Sequence, residues 1–82
     1  MKKTIRQQIE DVENKLNIIL KNTDEETYRA ILKSSYTLNE YDRLSRIYED
    51  NTLELEKRLT SNMLRTVNSI LTDKMFELGI KK

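Results

Sequence analysis

The side chains of this sequence that could do chemistry are carboxylates, lysines, tyrosines and serines. There is no His and no Cys, so the commonest general base and the commonest transition-metal ligand are both missing. A Ser-His or Cys-His nucleophile, a thiolate metal site and a disulfide cannot be built. The carboxylates include three clusters: Glu10-Asp11 with Glu13 close by, Glu25-Glu26, and Glu49-Asp50. Acid–base or metal chemistry would need such groups to converge in a cleft, and nothing in the spacing brings them together. Solvation of helix surfaces explains them. The one Gly excludes a glycine-rich phosphate loop. No catalytic residue, cofactor or metal site is expected, and no enzyme.

The basic residues give no nucleic-acid track either. Lys plus Arg is 15 against 14 for Asp plus Glu, a net charge of +1. A protein that binds nucleic acid through bulk charge shows a clear basic excess. Arg43 and Arg46, and Lys57 and Arg58, lie within helical reach of Glu40, Glu49, Glu54 and Glu56, which reads as i,i+3 and i,i+4 pairing on exposed faces. The four Tyr residues read as core residues with wet hydroxyls rather than as a base-stacking platform. No run approaches the ~20 apolar residues that span a bilayer. The opening MKKTIRQQIEDVE lacks the apolar core of a secretory signal, so a cytoplasmic location is expected.

The elements that carry these side chains are helices. No stretch alternates apolar and polar residues long enough for a strand, and the chain has no Pro. Its 82 residues make one domain, residues 1–82. The expected fold is all-α, a small bundle of three to four helices with one long central helix.

The first helix is expected from Thr4 to about Lys21, opened by a Thr4-x-x-Gln7 capping box. Ile5, Ile9, Val12, Leu16 and Ile19 form a seam stepping 4, 3, 4, 3, a heptad pattern. It reads as one face of a bundle. Thr23, with Glu26 three residues on, is expected to cap a short second helix whose inner face is Tyr28, Ile31 and Leu32. Thr37, with Glu40, is expected to cap a third. From Tyr41 a seam runs through Leu44, Tyr48, Leu55 and Leu59, with Ile47 at its edge and Asn51 on it. Asn51 is either a polar residue within a continuous helix or, as Asn51-x-x-Glu54, a new cap. The absence of Gly or Pro favours continuity.

Thr60-Ser61-Asn62 marks the next start, since all three are poor helix formers and good caps. The last helix runs to about Leu78, with Met63, Leu64, Val67, Ile70, Leu71, Met75 and Leu78 inside. Gly79 stands where a left-handed C-cap is expected, Ile80 where it can fold back on the last turn, and Lys81 and Lys82 at the negative end of the helix dipole.

Three apolar residues lie off these stripes: Ile18, Leu53 and Phe76. Isolated exposed apolar residues are normal. These three are nevertheless the candidates for a partner-binding surface, led by Phe76, because an aromatic ring makes the better anchor. Apolar burial in so small a chain is of the same order as the entropy of ordering it. Small folds in that position often add subunits, so a homodimer is a further expectation.

Two stretches carry resemblances. The opening MKKTIRQQIEDVENKLNIILKN, with the length and the Ile/Asn/Lys-rich usage, resembles the small cytoplasmic antiholins of T-even phages, accessory proteins of lysis inhibition. That resemblance implies a protein that binds the short cytoplasmic N-terminal segment of the holin, hinders its assembly into a membrane lesion and delays lysis. The stretch YTLNEYDRLSRIYEDNTLELEKRL, residues 36–59, is similar to the haemolysin-expression modulator family of nucleoid-associated helical proteins, with Tyr36, Leu38, Leu44 and Tyr48 at matching places. It departs after Tyr48, where that family carries a mixed acidic–His–basic segment and this chain has Glu49-Asp50-Asn51-Thr52. Both resemblances imply binding to another protein.

Overall fold

The structure, a computed structural model, describes residues 3–80. These form five helices: α1 (Ile5–Asn22), α2 (Glu25–Leu32), α3 (Tyr36–Ile47), α4 (Thr52–Arg58) and α5 (Ser61–Glu77). The expected Lys81 and Lys82 end lies outside the described residues.

Side-chain caps set the helix starts. The Thr4 capping box is complete: the Thr4 hydroxyl accepts from the Gln7 amide at 3.1 Å, and the Gln7 side chain accepts from the Thr4 amide at 2.9 Å. Thr60 caps α5, accepting from the Met63 amide at 3.1 Å. Two other starts differ from expectation. Asp24, not Thr23, caps α2, its carboxylate accepting from the Thr27 amide at 2.7 Å. Thr23 instead closes α1, donating its hydroxyl to the Ile19 carbonyl at 2.8 Å. A carboxylate bonds backbone N–H groups more strongly than a hydroxyl does, and the helix starts one residue later. Likewise Ser35, not Thr37, caps α3, and Glu40, freed from a capping role, forms a two-point pair with Arg43 at 2.6 and 2.9 Å.

The long central helix is not formed. Its expected span is divided into α3 and α4 by the turn at Tyr48–Asp50, and Asn51 is the N-cap of α4, accepting from the Glu54 amide at 3.2 Å. The Asn51 amide itself donates to the Tyr48 carbonyl at 3.0 Å. Neither Gly nor Pro is needed for the break, because Asn offers the backbone its own side-chain acceptor. The division raises the count to five helices, above the three to four expected. At the other end, Gly79 adopts φ 72°. The Ile80 amide bonds to the Met75 carbonyl at 2.9 Å and the Gly79 amide to the Phe76 carbonyl at 3.1 Å, the double closure of a Schellman motif. Ile80 then packs against the core. Leu78, expected inside, is exposed, because the turn hands its inward place to Ile80.

The two longest helices, α1 and α5, pack most extensively. Gln8 meets Ser61 at 3.2 Å and Lys15 meets Asn68 at 2.5 Å, a separation of 53 residues both times. A constant separation across one heptad means that the two helices run parallel and in register. Parallel neighbours require a crossover, which α2–α4 supply. Val12 and Ile19 of α1, Leu38 and Tyr41 of α3, and Leu64, Val67 and Leu71 of α5 are the most deeply buried residues. Ile9, Ile31, Leu32, Leu55, Leu59 and Met75 complete one core, with Ile5, Leu16, Tyr28, Leu44, Tyr48, Met63 and Ile70 packed at its margin.

Candidate protein-binding surface

Of the three residues singled out in the sequence, two lie open. Phe76, in the last turn of α5, is 86% exposed, and Leu53, in the first turn of α4, is 65% exposed. Ile18 is different: it is partly buried and packed against the core. The heptad seam predicts a narrow stripe, but α1 packs against both α5 and α2, and a helix with two neighbours buries a wider arc. The structure does not join Leu53 and Phe76 into a common cleft. Further apolar exposure went unseen in the sequence. Tyr36 is 83% exposed and Ile47 is 56% exposed. Eleven residues apart on α3, they fall on one face, since eleven residues are close to three turns. Tyr36 is therefore no core residue.

Tyr41 departs from expectation in the opposite sense. It is 1% exposed, and its hydroxyl, far from being wet, has no hydrogen-bond partner among the described residues. Burial pushes the phenol pKa up strongly, with the Glu13, Tyr28 and Asp42 side chains adding to the effect. Burial also raises the pKa of Tyr28. Tyr48 is partly covered by Arg58, whose guanidinium lies 5.4 Å from the ring centre.

A concavity with an apolar floor lies where α1, α3 and α4 meet. It is a groove of about 550 Å3 lined by Arg6, Ile9, Glu10 and Glu13 of α1, by Ser45, Arg46 and Glu49 around the end of α3, and by Thr52, Leu55 and Glu56 of α4. Ile9 and Leu55, buried core residues, form its floor. Its volume is within the ~300–1,000 Å3 range of ligand clefts.

The two cations of this groove are already paired. Arg6 holds Glu56 at 3.0 and 3.2 Å across the α1–α4 contact, and Arg46 holds Asp42 at 3.2 Å. The Arg6–Glu56 pair joins residues 50 apart, which no local spacing rule could reveal. Arg46 takes Asp42, one turn earlier, rather than Glu49. Local pairing does describe Arg58 with Glu54 at 2.9 Å and Arg29 with Glu25 at 2.7 Å. Glu10, Glu13 and Glu49 form no ion pair among the described residues. Three carboxylates thus rim a groove whose positive charges are spent.

Among the described residues no group of three or more acidic side chains is placed to hold a metal ion. No helix there is long and apolar enough to cross a membrane. The surface offers shape, apolar contact and negative charge. Comparison of the chain with protein-family models, with curated protein sequences and with solved structures gave no match.

Proposed function

We propose that this chain is an antiholin-type binding module: it takes up the short cytoplasmic N-terminal segment of a holin, keeps the holin from assembling into a membrane lesion, and so delays host cell lysis. The observation that carries the reading is the groove between α1, α3 and α4, with Ile9 and Leu55 as its floor. An amphipathic partner segment that lays its apolar side into a helical groove is a recurring mode of recognition. Phe76 and Leu53 add exposed apolar contacts beyond the groove. The resemblance of residues 1–22 to the cytoplasmic antiholins supplies the identity of the partner. The site of action is then the cytoplasmic face of the membrane, reached through the holin.

The test is co-expression with a holin in bacteria. Lysis is expected to be postponed, and a pulldown with the holin's cytosolic peptide is expected to retain the chain. Phe76→Ala and Leu53→Asp should shorten the delay while leaving the helical circular dichroism unchanged. Unaltered lysis timing together with an empty pulldown would remove the reading.

A second reading, a nucleoid-associated transcription modulator of the haemolysin-expression type, is supported by the exposed Tyr36–Ile47 face of α3, which lies in the stretch that carries that resemblance. It predicts co-purification with a DNA-bound regulator instead, without direct contact to nucleic acid.

A further inference from the structure

The groove has a charge pattern that specifies its occupant. Glu10 and Glu13 stand one turn apart on α1, and Glu49 stands beyond the end of α3. Negative charge therefore rises from two sides of an apolar floor. Arg6 and Arg46 are engaged by Glu56 and Asp42, so the groove's own cations are not available to cancel it. The three carboxylates do not converge as a metal site requires. Separated anions around a groove suit separated cations carried on a chain, not one ion. Like charges held on two walls repel one another until counter-charges arrive.

We propose that the groove between α1, α3 and α4 is the docking site of a short cationic amphipathic segment of a partner protein. An apolar side chain of the segment enters over Ile9 and Leu55, while its Lys or Arg side chains pair with Glu10, Glu13 and Glu49. This rests on the binding-module reading above but not on the partner's being a holin. The partner is defined by its chemistry: a helical segment whose apolar stripe is flanked by basic side chains. Because the charges lie at the rim, they act mainly on association rate and specificity, and salt weakens them.

The probe is a fluorescein-labelled helical peptide of about four turns, built of Ala, Leu and Lys with the Lys residues flanking the Leu stripe. Its comparator carries Glu in place of every Lys. Fluorescence anisotropy should show the Lys peptide bound and the Glu peptide not. The variant Glu10→Gln/Glu13→Gln/Glu49→Gln should weaken binding roughly ten-fold. The variant Glu26→Gln/Asp73→Asn/Glu77→Gln makes the same change in net charge outside the groove and should bind as the parent does. All three side chains of each variant lie on exposed helix or turn surface, and circular dichroism verifies that both variants stay folded.

Equal binding by the two variants, or uptake of the Glu peptide, would overturn the proposal. So would sedimentation showing a dimer that the groove variant abolishes, which would give the groove to a second copy. The outcomes separate the two levels of the reading. A holin segment that binds the groove variant undiminished refutes this site and leaves the antiholin function standing. A groove that takes the Lys peptide while lysis timing is unaltered refutes the antiholin and leaves the site.

Discussion

At the residue scale, Tyr41 is the side chain whose chemistry and position conflict. Its ring fills the core, yet its hydroxyl is shut away without a partner among the described residues. An unsatisfied buried polar group of this kind costs about 1–3 kcal/mol. Tyr41→Phe keeps the ring and removes the cost, so its stability should equal the parent's or exceed it by about 1 kcal/mol. Urea unfolding measures this, and a loss of similar size would mean that the hydroxyl has a partner, such as a water held against Glu13. The sequence indicated that Tyr41 belongs on a buried seam, because periodicity reports which way a residue faces. It could not indicate whether the hydroxyl reaches solvent, since that depends on the helices covering it. The same limit applied to Tyr36 and Ile18, one found outside and one partly inside, against expectation.

At the scale of the element, helix starts were legible in kind and less so in place. Thr4 and Thr60 cap as their neighbourhoods suggest, whereas Thr23 and Thr37 yield to Asp24 and Ser35. Where two capping residues lie within two positions the better cap prevails, and both Asp and Ser outrank Thr. Asp24 makes the choice testable. Hydrogen bonding from the Thr27 side chain, and then from the Thr27 amide, holds its carboxyl below the ordinary value of 3.8. A depressed folded pKa means that the charged cap stabilises above that value, and that this contribution fades as pH falls through it toward the folded pKa. Asp24→Asn retains a capping oxygen without the titration. The urea midpoint of the parent should therefore fall faster than that of Asp24→Asn between neutral pH and about pH 3. Parallel pH profiles would show that the Asp24 charge adds nothing to the cap. Asn51 begins α4 with neither Gly nor Pro beside it, against the continuous helix that their absence favours. Its side chain proved sufficient.

At the scale of the molecule, stability resides in the contact between the parallel α1 and α5 and in the α3 residues laid across it. Leu71 lies wholly inside. Leu71→Ala should cost about 2–5 kcal/mol, a large part of the roughly 4–12 kcal/mol that a domain of this size possesses. Its melting temperature should fall by roughly 10 °C or more. Phe76→Ala, on open surface, should stay within about 0.5 kcal/mol of the parent. Comparable losses for the two would place Phe76 inside an interface, as a second copy would create. From composition and spacing alone came the all-helical class, the inner faces of α1 and α5 and the left-handed close at Gly79. These follow from local physics: periodicity, backbone capping and the side-chain inventory. The tertiary structure alone decided that α1 and α5 run parallel and that Glu10, Glu13 and Glu49 line one groove. Those features depend on contacts between residues some forty to fifty positions apart, and such contacts leave no mark on the spacing within any one helix.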